Sequence, residues 1–443
     1  MRFGWICLLA MAPLAIAPLA RAAGPLQLSL KRAVEIATSP EGSTKVQLSG
    51  ESLKQAQSRS AEARAALLPD VEAAFSDQNA TRNLAAQGIS VTVPIPGFRF
   101  PTFVGPFSTM DARLTGSQSV FDFSSIRRYQ ASKVGIAAAK SDVSGTEEQV
   151  AAQVARAYLA AVKADADVEA AQANVTLSEA VLKQSENQKA AGTGTGIEIT
   201  RARVQLANDR QRLLVAQNQR RSAQLQLLRA MGVRLDTDLE LTDKLAYVPV
   251  DAVTVEQARA QAFKERPDYE AQKQREANAR LSASATKLER LPTVAAFGDY
   301  GASGTAIDNS LATRTIGVQV RVPLFDGGRR DARRAESASQ YRSEKVKTND
   351  LKEQIELDVR LALDALQSAD DQVKVSKEGL ELAENELTQA RRRYDAGVAV
   401  GVEVTDAQTR LERARDNQTG ALYNYNLARI DLAQAMGAVR RML

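Results

Sequence analysis

Histidine is absent from all 443 residues. Its absence removes the commonest general base and metal ligand, and with them imidazole-dependent hydrolysis and His-ligated zinc. The one cysteine, Cys7, has no partner for an intramolecular disulfide and cannot build a thiolate cluster. An excess of one charge is lacking too. The 58 Lys and Arg are dispersed among 53 Asp and Glu, so no basic groove for nucleic acid is expected. There is no nucleophile–base pair, no phosphate loop and no metal-ligand cluster, which leaves an enzyme without its chemistry. No cofactor is expected.

Long hydrophobic runs are missing beyond the N-terminus. Arg2, the apolar run Trp5 to Leu19 and Ala20-Arg21-Ala22 read as a signal peptide over 1–22, cleaved after Ala22. An uncleaved signal anchor is the other reading of that segment. Cys7 lies inside the run without a lipidation box, so no lipid anchor is expected. After Ala22 no apolar stretch reaches the roughly 18 residues of a membrane helix. An exported chain of this kind is either soluble outside the inner membrane or enters a membrane as a β-barrel.

What is present is a duplication. Gly192 and Gly397 stand 205 positions apart, as do Gly232 and Gly437, Glu198 and Glu403, and Thr200 and Thr405. The triplet Ala230-Met231-Gly232 returns at the same offset as Ala435-Met436-Gly437. Phe121-Asp122 pairs with Phe325-Asp326 at 204, and "LLPDVEAAFS" from Leu67 parallels "RLPTVAAFGD" from Arg290. Aligned glycines and a rare triplet exceed what two Ala-rich helices share by chance. We therefore divide the chain into the signal peptide, a first repeat over 23–248 and a second over 249–443. Each repeat is expected to hold a helix, a strand pair and a long helical hairpin.

Proline is confined as well. None occurs in 107–248 or 324–443, and both windows are rich in good helix formers. Leu351, Ile355, Val359, Ala362 and Leu366 recur at helical spacing. One helix is predicted from Asp331 to Tyr394, about 96 Å long, and its counterpart from about Ser125 to Ala190. "GTGTG" at 192–196 and "GVAVG" at 397–401 break them. Second helices follow near 198–231 and 403–436, and a shorter helix lies near 45–68.

Between the prolines lie alternating runs. Ile316, Val318, Val320, Val322 and Leu324 alternate with small or polar residues, as do Val71, Ala73 and Phe75. Val294, Ala296 and Tyr300 mark a third strand, and about Asp111 to Phe121 a fourth, less clearly patterned. Nine of the eleven phenylalanines lie in or beside these segments, as lipid-facing strands would require. A small soluble sheet packed on helices is the other reading. Four weak strands set among so much helix make a poor core, so a wall with lipid on one side and water on the other fits better. The Pro- and Phe-rich Ile89 to Phe107 reads as an enlarged loop with some extended structure. Four strands leave two open edges, which lipid does not tolerate, so the sheet must be shared among two, three or four copies.

"VPLFDGGRR" from Val322, "ERPDYEAQ" from Glu265, Leu291-Pro292 before a strand and "YDAGVAVGVEVTDAQTRLERAR" from Tyr394 occur here in order. Together they resemble the TolC-like outer membrane efflux proteins over nearly all of the mature chain. The strand-to-helix signature is Pro323, Leu324, Phe325, Asp326, Gly327 and Gly328. The resemblance implies a homotrimer in the outer membrane of a Gram-negative bacterium. Four strands per protomer would make a twelve-stranded barrel, and the helical hairpins a long α-barrel through the periplasm. It also implies a passive exit duct of a tripartite efflux pump or type I secretion system. The partners implied are a periplasmic adaptor and an inner-membrane transporter. A periplasmic coiled-coil adaptor is the alternative, although such proteins need no amphipathic strands.

The resemblance implies site residues too. The second hairpin turn forms the periplasmic entrance, with Tyr394 and Gly397 in its motif and Glu403 and Asp406 as carboxylate rings. Ala399 stands where some members carry a gate-locking arginine, and Arg391, Arg392 and Arg393 lie a turn away. The glycine turns Gly192, Gly194, Gly196, Gly397 and Gly401 are candidates for adaptor docking.

Overall fold

The computed structural model describes residues 26–89, 94–97, 100–250 and 253–442. The expected signal peptide over 1–22 lies outside them, as does part of the expected enlarged loop. In chain order the elements are β1 (Leu26–Leu28), α1 (Leu30–Thr38), α2 (Thr44–Ala65), β2 (Asp70–Asn83), β3 (Phe103–Phe121), α3 (Phe123–Ala190) and α4 (Gly196–Met231). They continue with β4 (Leu239–Leu241), α5 (Val255–Glu265), α6 (Pro267–Leu288), β5 (Thr293–Gly304), β6 (Leu311–Arg321), α7 (Arg329–Asp395), α8 (Gly401–Ala435) and α9 (Val439–Met442). The protein is mainly helical with a small β part, and the two proline-free windows hold the four longest helices. α3 has 68 residues and α7 has 67, each roughly 100 Å at the rise of an α-helix.

The duplication persists in individual hydrogen bonds. At the ends of α3 and α7, Gly192 N donates to Lys189 O as Gly397 N donates to Tyr394 O, 205 positions on. Thr193 N to Gln188 O is repeated by Val398 N to Arg393 O. After α4 and α8, Gly232 N to Arg229 O is repeated by Gly437 N to Gln434 O. These pairs are the backbone closure of helices that end on a left-handed residue.

Two compact units divide the chain, and each draws on both repeats. The first takes the residues up to Ala37, Val154–Tyr247 and Ser376–Tyr423. It holds both hairpin turns and a short parallel pair of β1 with β4. Tyr158 is buried beside that pair. Its Oη lies 2.8 Å from the Leu28 carbonyl and 2.9 Å from Asp243 Oδ2, which also accepts from Leu30 N at 2.7 Å. Burial first, and the carboxylate next, push the Tyr158 phenol upward, so it stays protonated. β1 and β4, of three residues each, are too short to show a period, whereas α1 carries Leu30, Ala33, Val34 and Ala37 at a helical spacing that was not singled out from the sequence.

The second unit takes Thr38–Gln153, Val248–Val375 and Asn424–Leu443. Its sheet is antiparallel in the order β2-β3-β5-β6. In the same unit, Ala258 and Ala262 of α5, Ile355, Val359 and Ala362 of α7, and Leu432 and Ala435 of α8 form a hydrophobic core. Arg266, at the corner of α5 and α6, binds Asp268, Asp358 and the Ala435 carbonyl, which accounts for the Arg-Pro-Asp motif. β6 ends at Arg321, short of the predicted Leu324, because Pro323 has no amide to continue a ladder. β3 begins at Phe103, earlier than predicted. Asn83 opposite Phe103 and Ala80 opposite Phe107 extend the first hairpin into the enlarged loop.

Candidate functional site: a two-faced sheet and two glycine turns

Residues opposite one another in an antiparallel ladder share a face, so the register sorts the sheet of the second unit into two sides. One side carries Val320 opposite Val294, Val318 opposite Ala296, Ile316 opposite Gly298, and Tyr300 opposite Leu114. Across β2 it continues with Val71, Ala73 and Phe75. The other side carries Gln319, Thr315, Thr313, Asp299, Arg113, Asp111 and Glu72. There Arg113 binds Asp111 at 3.1 Å, Asp299, and Thr313 Oγ1 at 3.1 Å. The less clearly patterned β3 is thus explained, since its Arg113 finds Asp299 on β5 and Thr313 on β6. Val71, Phe75, Ile316, Val318 and Val320 are exposed in the single chain, and among the described residues β2 and β6 each pair on one side only.

The strand-to-helix signature connects this sheet to α7. Asp326 accepts from the Arg330 amide at 3.2 Å and from its Nε at 2.7 Å, closing the first turn of α7. Its counterpart Asp122 accepts from the amides of Ser124 at 2.9 Å and Ser125 at 3.1 Å, at the start of α3. The repeated Phe-Asp is therefore a helix cap in both halves. Gly327 and Gly328 take φ of 68° and 85°, a backbone that a Cβ disfavours. Leu324 and Phe325 are 91% and 89% exposed, as residues awaiting lipid or another copy would be.

In the first unit, the two hairpin turns repeat one construction. Gly192 and Gly397 lie at φ of 78° and 72°, so both turns need glycine there. Gly194, Gly196 and Gly401 have ordinary φ. Gly196 and Gly401 open α4 and α8. Glu198 reaches back to the Thr195 amide at 2.9 Å and also accepts from the Gly401 amide, linking the start of α4 to that of α8. The Thr195 amide, then these other donors, hold its carboxyl below the usual range.

Tyr394 is 4% exposed and packs with Val181, Leu387, Ala390, Val404 and Leu411. Among the described residues its hydroxyl has no hydrogen-bond partner. It faces a cavity of about 20 Å³ lined also by Glu198, Arg201, Ser185 and Thr405, room for one water. Glu403 is half-buried and pairs with Arg393 Nε at 2.9 Å. Asp406 is exposed and, among the described residues, unpaired. The structure thus gathers Tyr394, Gly397, Gly401 and Glu403 at the second turn, sets Glu198 of the first turn against Gly401, and distinguishes Glu403, which is paired, from Asp406, which among the described residues is not.

A cluster that motif reading missed lies farther along the same helices. Asp209 is 1% exposed within the buried stripe Ala202, Leu206 and Ala216 of α4. Glu412 of α8 is 7% exposed and pairs with Arg212. An aspartate at a core position of an apolar stripe was the available signal.

The family model for "Outer membrane efflux protein" matches residues 44–233 and 258–438, one match in each half. The pyoverdine export outer membrane protein OpmQ of Pseudomonas putida is 25% identical over 395 residues, covering 87% of this chain and 81% of that protein. The alkaline protease secretion protein AprF of Pseudomonas aeruginosa is 22% identical over 320 residues, 70% of this chain and 66% of its own. The CmeC outer membrane channel of Campylobacter jejuni shares the fold, with a TM-score of 0.79 at 16% identity, covering 92% of this chain and 85% of that one. With the repeat, the two-faced sheet and the paired glycine turns all in place, the chain belongs to the outer membrane efflux protein family.

Proposed function

We propose that three copies of this chain close their sheets into one twelve-stranded barrel in the outer membrane and join their long helices into a periplasmic tunnel. Export across the outer membrane is the function that the family carries, with tripartite pumps and type I secretion systems as its settings. The protein then acts as a passive exit duct, supplied by an inner-membrane transporter through a periplasmic adaptor. One observation carries the reading. A sheet with an apolar face, a polar face and two unpaired edges satisfies its backbone in lipid only by closing with other copies.

In this reading the α7–α8 turn is the entrance, and Tyr394, Gly397, Glu403 and Asp406 line or support it. Three-fold symmetry turns Asp406 into a ring of three carboxylates whose mutual repulsion favours a cation on the axis. The glycine turns around Gly192 and Gly397 give an adaptor close approach to backbone. Reconstitution into planar bilayers tests the duct. Conducting, cation-preferring trimers are expected, and a protein that stays monomeric and water-soluble without detergent would sink the reading.

A further inference from the structure

We propose that the seam between α4 and α8 in the first unit is a clasp that tightens in acid, built from Asp209, Arg212 and Glu412. Asp209 accepts from Ser178 Oγ of α3 at 2.5 Å and from Gln205 Nε2 at 3.1 and 3.2 Å. Arg212 binds Glu412 directly and lies 3.7 Å from Asp209. One largely exposed guanidinium therefore touches two buried carboxylates on neighbouring helices. A cavity of about 800 Å³ adjoins them. The charged groups facing it are Lys163 and Asp167 from α3, Asp209 and Arg212 from α4, and Glu412, Arg413 and Asp416 from α8. Among the described residues α7 contributes none to that lining. Lys163 and Asp167 are engaged with each other at 2.7 Å, and just outside the lining Arg220 of α4 lies 3.5 Å from Asp165 of α3.

The balance of these groups sets the sign. Burial, then Asp209, pushes the Glu412 carboxyl above its usual range, and burial, then Asp167, does the same for Asp416. The packed seam thus holds protons more tightly than the same helices separated in water. Lowering the pH through that raised range favours the packed seam, and raising it leaves the carboxylates to repel, with Arg212 as the offset.

The position of the clasp makes it a regulator. Asp209 follows Glu198 by 11 residues and Glu412 follows Gly401 by 11. α4 and α8 therefore run side by side in one register from the Glu198–Gly401 contact, with the clasp roughly 16 Å farther along. α8 also carries Glu403 and Asp406, so a tight seam restrains the helix that bears them. The acids are not inherited symmetrically. At the repeat offset of 205, Asp209 corresponds to Ala414 and Glu412 to Ala207. That the restrained helix forms an entrance rests on the duct reading above.

Hydrogen–deuterium exchange of the purified protein in detergent, corrected for the intrinsic pH dependence, tests the clasp. Protection of amides in 404–416 is expected to rise severalfold from pH 7.5 to pH 5.0, as the raised carboxyls take up protons. Glu412→Gln should be more protected at pH 7.5 than the unaltered protein and keep only the smaller pH response that Asp416 supplies. Arg212→Gln should lose protection at pH 7.5 and regain it at pH 5.0. Flat or falling protection on acidification, or a Glu412→Gln variant with the full pH response, overturns the proposal. Bilayer recordings on the same preparation separate it from the duct reading. Conducting trimers with a flat exchange profile overturn the clasp alone. PH-dependent exchange in a protein that never conducts upholds the clasp and overturns the duct.

Discussion

Glu403 and Asp406 sit three positions apart on one helix, yet their surroundings assign them different work. Arg393 occupies Glu403, whereas Asp406 is free to present its charge. Asp406→Ala is therefore expected to lower the cation-over-anion permeability ratio about fivefold, or about 1 kcal/mol. Glu403→Ala should change it less, and the double variant should still form trimers. Reversal potentials in asymmetric salt measure this, and a double variant with unchanged selectivity would remove both acids from the constriction. Glu198 belongs to the turn itself. Its loss in Glu198→Ala should loosen the first turn of α4 by about 0.5 kcal/mol and leave selectivity nearly intact. Because donors depress its carboxyl, the contact is present above the unperturbed carboxylate range and is lost only as the pH falls through the lower, folded value. Amide exchange at 197–200 should therefore stay constant on acidification until well below that range.

At the scale of elements, the strand register is the sharpest statement. Val318 and Val320 share the apolar face, and Gln319 lies between them on the face of Arg113 and Asp299. Lysine at Val318 or Val320 should cost about 2–4 kcal/mol near the bilayer midplane and hinder insertion, whereas Gln319→Lys should insert normally. Heat-modifiable migration of the folded barrel measures the difference, and equal behaviour at all three positions would mean the faces are misassigned. The alternation in β6 was legible because apolar and polar residues strictly exchange there. β3 was blurred because Arg113 takes Asp299 from β5 and Thr313 from β6 as partners, a relation that no single strand displays. The caps at Asp122 and Asp326 were visible as a repeated Phe-Asp, though their bonding to the first turns of α3 and α7 was not.

At the scale of the whole molecule, the two repeats and the two compact units are different divisions of one chain. A repeat is contiguous because duplication copies contiguous sequence. A unit is not, because α3 and α7 are each long enough to serve both units. Intact mass of the exported protein should begin at Ala23 without an acyl group, and its detergent complex should contain three chains. Retained residues 1–22 or an acylated terminus would refute the sequence reading of the leader.

The amino-acid order alone determined whatever depends on local conformation. Proline-free windows permit long helices, positive-φ turns require Gly192 and Gly397, and period-two alternation lays out strands. It also displayed the duplication, because a fixed offset needs no structure to be seen. Only the tertiary structure decided which charges meet. Arg393 reaches Glu403 across a turn, Arg212 reaches Glu412 from another helix, and Asp209 is buried although its sequence neighbours are polar. Pairing of side chains depends on how helices lie against one another, and in a chain with 111 charged residues spread throughout, spacing by itself leaves many partners possible. Packing selects among them, since a buried carboxylate is retained only where a hydrogen-bond donor or a cation has been brought to it.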